Sequence, residues 1–99
     1  MPAHTHVLHA PDRVVGSIAL RPAQDGTWIE HFYLHHELQG HGLGTTVLKA
    51  ITEAADAAAT TLHLHVLQQS DARRLYERHG FTLDHEDPVD VYLQRPPHA

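Results

Sequence analysis

The sequence predicts an α/β domain of the α+β kind, a mixed and mostly antiparallel sheet with one parallel β-α-β crossover at its centre, and three observations carry that expectation. A strand-like run, Trp28 to Leu34, leads into a glycine-rich loop. Beyond the loop the apolar residues Leu43, Val47, Leu48, Ile51, Ala54, Ala55 and Ala58 recur at helical spacing. A second strand-like run, Thr61 to Leu67, follows that helix, and strand, helix, strand implies a right-handed parallel crossover.

The other elements follow in order. Thr5 to Ala10 is compatible with a short strand, ended by Pro11-Asp12, and Arg13 to Leu20 is a second strand that pairs with it as a hairpin. Gly16 within it suggests a bulge or a close backbone approach. Arg21 to Gly26 is a turn with an Asp-Gly pair. In the third strand, alternation puts Trp28, Glu30 and Phe32 on one face and Ile29, His31 and Tyr33 on the other, unless a bulge intervenes. Glu30 in that run reads either as an exposed edge residue or as a functional carboxylate.

The helix from Leu43 runs for about four turns, with Lys49, Glu53 and Asp56 facing water. In Thr61 to Leu67, the residues Leu62, Leu64 and Val66 share one face and His63, His65 and Leu67 the other. Ser70 or Asp71 caps a second helix, Ala72 to His79, which Gly80 stops. A final strand covers Asp90 to Gln94 after the break at Pro88, and Arg95 to Ala99 is expected to fray.

The 99 residues read as a single domain, 1–99, without repeats or linkers. Cysteine is absent, which excludes disulfides, thiolate metal sites and cysteine nucleophiles. A net charge of −5 argues against a nucleic-acid partner. No run of about 18 apolar residues suggests a membrane span, and the start has no basic region followed by an apolar one. A cytoplasmic protein is the expectation. Twelve histidines raise the question of a metal, and His63 and His65 share a strand face, yet no spacing resembles a zinc finger and no metal is expected.

The loop Gln39-Gly40-His41-Gly42-Leu43-Gly44-Thr45 holds three glycines in five positions where strand gives way to helix. Successive amides free of Cβ atoms, backed by a helix N-terminus, suit a pyrophosphate. A Walker-type loop is excluded, because Thr45-Thr46 rather than Lys-Ser or Lys-Thr follows Gly44. A dinucleotide fingerprint is excluded as well, because the spacing is G-x-G-x-G and the first acidic residues come too soon.

The spacing that fits is Gln-x-x-Gly-x-Gly. Tyr33 to Gly44 resembles the acyl-CoA-binding segment of the GNAT N-acetyltransferases, an apolar strand end, a short acidic turn, then (Arg/Gln)-x-x-Gly-x-(Gly/Ala). Gln69 to Phe81 is similar to the same family's Asn-x-x-Ala-x-x-Leu-Tyr-x-x-x-Gly-Phe, with Gln69 in place of the first Asn. The two segments stand in the family's order.

The resemblance implies an acetyl-CoA-dependent N-acetyltransferase that passes an acetyl group to a primary amine of a small molecule or peptide by direct attack. It implies that the strand before the loop splays from the next parallel strand, with the backbone of Phe32, Tyr33 and Leu34 binding the pantetheine arm of the cofactor. The amides of Gln39, Gly40, His41, Gly42, Leu43, Gly44 and Thr45 would hold the pyrophosphate, and Gln69 would support the cofactor. Tyr76 matches the tyrosine that protonates the leaving sulfur, and Glu30 is the first choice of general base, with His31 second.

Family members normally begin with a further strand and two helices over the acceptor site, so the chain resembles a form truncated at its N-terminus. The open acceptor half makes a homodimer the expectation. The alternative function is a catalytically weak acyl-CoA-binding or regulatory module of the same fold.

Overall fold

The computed structural model describes residues 4–10, 13–34 and 43–98. Alternating β-branched, aromatic and polar residues build a meander of three strands, β1 (His4–Ala10), β2 (Arg13–Ala23) and β3 (Gly26–Leu34). There follow α1 (Leu43–Ala57), β4 (Leu62–Leu67), α2 (Ala72–Arg78), β5 (Thr82–Glu86) and β6 (Asp90–Arg95). The six strands form one sheet in the order β1-β2-β3-β4-β6-β5. Every neighbouring pair is antiparallel except β3 and β4, which are parallel.

Two crossovers advance in the same direction across this sheet. One carries β3 through α1 to β4, and the other carries β4 through α2 past β6 to β5. The right-handed rule places both helices on one face. The core agrees, since Leu48 and Ala55 of α1 and Tyr76 of α2 pack in one cluster with Ile18, Ile29, Leu62, Leu64, Val91 and Leu93 of the sheet. Phe81, buried between α2 and β5, completes it.

The third strand departs from strict alternation. Ala19 pairs with His31 and Leu20 with Ile29, which leaves Glu30 as the extra residue of a β-bulge. The bulge turns Ile29 and Phe32 toward the same core, where simple alternation had put them on opposite faces. A second bulge leaves Val15 unpaired beside Gly16, as the glycine had suggested.

Four other expectations are corrected. β2 continues through Arg21, Pro22 and Ala23, because the tight turn needs only Gln24-Asp25 before Gly26. The strand β5 was not anticipated, since all five of its residues are exposed and carry no apolar alternation. The tail does not fray at Arg95, which is 5% exposed and ends β6. Its guanidinium donates to Asp56 Oδ1 at 2.7 Å, to Asp56 Oδ2 at 3.1 Å and to the His79 carbonyl at 2.8 Å. Asp56 therefore does not simply face water, and its Oδ1 also accepts the His98 amide at 2.8 Å.

The second helix stops as expected. Gly80 takes φ +92°, and the amides of Gly80 and Phe81 return to the carbonyls of Glu77 and Tyr76.

Candidate active site

The parallel seam between β3 and β4 is short. Only Thr27 with Leu62 and Trp28 with His63 are in register, while β3 runs on to Leu34 and β4 to Leu67. The closed end is clamped. Gly26, at φ +141°, lies so close to the Thr61 carbonyl that an added Cβ would collide with its oxygen, and the Thr27 amide donates to that same oxygen at 2.9 Å. Trp28 stacks on His63 with ring centroids 5.2 Å apart, and His63, 6% exposed, sets Nε2 3.2 Å from the Asp25 carbonyl.

Beyond Trp28 and His63 the strands part. Facing edges of two strands that cease to pair inside a sheet leave backbone donors and acceptors for another extended, amide-bearing chain. A pantetheine arm has that character. The described residues fit acyl-coenzyme A at this opening.

Glu30 stands at the bulge on the β3 bank, in an ion pair with Arg21, whose guanidinium carbon lies 5.8 Å from the Trp28 ring centre. Phe32 is half-buried against the core, Tyr33 is exposed and stacked beside His31 at 6.4 Å, and Leu34 ends the strand. Gln39, Gly40, His41 and Gly42 lie outside the described residues. Leu43, Gly44 and Thr45 form the first turn of α1, which holds no acidic residue to repel an anion.

Across the cleft, Gln69 is exposed in the turn between β4 and α2 with φ +65°, a left-handed conformation that suits Asn better than Gln. Ser70 caps α2, its Oγ accepting the Ala72 amide at 3.2 Å. Tyr76 is buried in the cluster against which Phe32 packs, its ring edge-on to Phe81 at 5.6 Å. Burial raises its pKa above the ordinary value of 10.0, so the hydroxyl keeps its proton at neutral pH.

The sequence reading missed a row of rings on the helix-free face. His85 of β5 stacks on Tyr92 of β6 at 4.3 Å, and Tyr92 stacks on His65 of β4 at 5.5 Å. Asp90 Oδ1 lies 3.4 Å from His65 Nδ1. The signal was the alternation Asp90, Tyr92, Gln94 in β6 against His63 and His65 in β4, which only the strand register joins.

The profile of the acetyltransferase (GNAT) domain matches residues 2–83. The chain belongs to the GNAT acetyltransferase family. No curated protein matches it in sequence.

Among solved structures this GNAT chain is similar to the PaiA N-acetyltransferase of Thermoplasma acidophilum in complex with coenzyme A, at 19% identity and TM-score 0.82, with 95% of this chain and 60% of that one covered. It is similar to a GNAT family acetyltransferase from Elizabethkingia anophelis with acetyl-CoA bound, at 16% identity and TM-score 0.82, covering 95% and 76%. A third is the ribosomal-protein-S18-alanine N-acetyltransferase from Escherichia coli, at 18% identity and TM-score 0.83, covering 98% and 71%. These likenesses establish the GNAT fold. The chain spans 60% of the length of the first of these structures.

Proposed function

We propose that the protein transfers the acetyl group of acetyl-CoA to a primary amine of a small molecule or peptide by direct attack. The observation that carries this reading is the β3–β4 seam, closed at Trp28 and His63 and open beyond them, immediately before the glycine loop and α1. The solved relatives that carry coenzyme A or acetyl-CoA support the same cofactor here.

In this reading the open edge of β3 from Phe32 to Leu34 binds the pantetheine arm. The amides from Gln39 to Thr45 meet the pyrophosphate, and Gln69 supports the cofactor from the opposite side. When bound, acetyl-CoA supplies an activated thioester carbonyl. The carbon–nitrogen bond forms as the carbon–sulfur bond breaks, so the amine must give up a proton and the departing sulfur must gain one. Tyr76, protonated and buried, donates to the sulfur. Glu30 serves the amine by drawing in its cationic form, and a general base on the bank of the cleft takes its proton.

A cytoplasmic location, where acetyl-CoA is at hand, belongs to the proposal, as does a homodimer. Favouring the dimer are the helix-free sheet face and an apolar groove of about 590 Å³ between α1 and β2. The openness of that face also favours a second reading, a weakly catalytic acyl-CoA-binding module.

A thiol-release assay with acetyl-CoA and a panel of primary amines separates the two. The enzyme reading expects turnover that falls about tenfold or more in Tyr76→Phe, with the affinity for acetyl-CoA retained. Tight binding without turnover on any amine would leave the module.

A further inference from the structure

The helix-free face of the sheet carries a second candidate proton acceptor for the acceptor amine. Parallel pairing stops at Trp28 and His63, and His65 is the next residue of β4 on the same face, at the level where β3 has peeled away. Its ring stacks on Tyr92 at 5.5 Å, and Tyr92 is backed by His85 at 4.3 Å, so a row of parallel rings from β5 and β6 ends at His65 on the cleft bank. The Nδ1 of His65 faces the Asp90 carboxylate at 3.4 Å, while its Nε2 has no partner among the described residues. On the opposite bank Glu30 is engaged by Arg21.

We propose that His65, oriented by Asp90, takes the proton of the acceptor amine at Nε2, while the Glu30 carboxylate, positioned by Arg21, holds the amine in its cationic form. This rests on the acetyl-transfer reading above. A carboxylate that accepts from Nδ1–H fixes the neutral tautomer and leaves Nε2 as the basic nitrogen. The step is balanced. The ammonium N–H bond breaks, its electron pair stays on nitrogen for the attack, the proton forms a bond to Nε2, and the imidazolium later releases it to water.

The groups that face His65 are Asp90 and Tyr92 from β6, His85 of β5 behind Tyr92, and Asp87 in the β5–β6 turn, on whose carboxyl both histidines act. On β3, Glu30 and His31 stand at the level where its pairing with β4 has ended. His65 is exposed, so its replacement does not disturb the core.

Two measurements test the proposal. Long-range proton–nitrogen NMR at alkaline pH, without substrate, reads the tautomer of His65. Protonation at Nδ1 in the wild type, shifting toward Nε2 in Asp90→Ala, is expected, and an Nε2-protonated wild type overturns the assignment. In steady-state kinetics His65→Gln lowers kcat about 100-fold or more and removes the acid limb of the kcat profile, with the Kd for acetyl-CoA unchanged, whereas Glu30→Gln acts chiefly on KM. A wild type that turns over while His65→Gln matches it overturns this assignment alone. A wild type that binds no acetyl-CoA overturns the enzyme reading and this assignment together.

Discussion

Arg95 ties three parts of the chain to one guanidinium, the end of α1 through Asp56, the end of α2 through the His79 carbonyl, and β6 through its own backbone. The cost of that burial is met by a bidentate carboxylate, which holds Asp56 at about 2, below its ordinary 3.8. A carboxyl depressed in the folded state stabilises it above the unfolded pKa. That contribution is lost as pH falls from about 4 to 2. Thermal melts should therefore show Asp56→Asn less stable than the wild type at pH 7, with a shallower decline below pH 4. Equal melting temperatures at neutral pH would contradict this role.

Single residues were legible in the sequence where a motif fixed them and not where a partner did. Gly80 stops α2 as local spacing predicted, Tyr76 falls within that helix, and of the two cap candidates, Ser70 and Asp71, it is Ser70 whose side chain accepts a helix amide. The pairings of Arg95 with Asp56 and of His65 with Asp90 join residues 39 and 25 positions apart, which no local pattern reports.

The elements follow the same division. Strand, helix and strand around α1 were readable because a 15-residue amphipathic helix and a strand with alternate apolar residues, Leu62, Leu64 and Val66, have strong periods. β5 was not, because an edge strand with both faces wet has no alternation to display. The bulge at Glu30 hides for a related reason, since one extra residue resets the phase of β3 and puts Ile29 and Phe32 on one side.

Gly26 has the most exacting local role, because β3 can meet β4 there only without a side chain. Gly26→Ala forces both a collision with the Thr61 carbonyl and a residue at φ +141°, so it should cost about 3 kcal/mol in urea unfolding. A loss below about 0.5 kcal/mol would mean that the closed end of the cleft is not clamped as described.

At the scale of the whole molecule, both helices on one face leave the other open, and the cleft between β3 and β4 reaches that open face beside His65. In the proposed function this topology lets cofactor and acceptor approach the opening from different sides. The fold class and family were legible in two motifs that lie either side of the crossover. The ring row was not, because it is assembled from three strands that the chain visits out of spatial order.

In the proposed function the open seam and the glycine loop form one acyl-CoA site. Calorimetric titration of acetyl-CoA into the wild type and Gly42→Glu decides this, because the glutamate adds a side chain and a negative charge to the loop proposed to bind the pyrophosphate. Binding at micromolar concentration in the wild type, lost in the variant while circular dichroism stays the same, is the predicted result. No heat of binding from a correctly folded wild type would contradict the account and leave the glycine loop a simple turn between strand and helix.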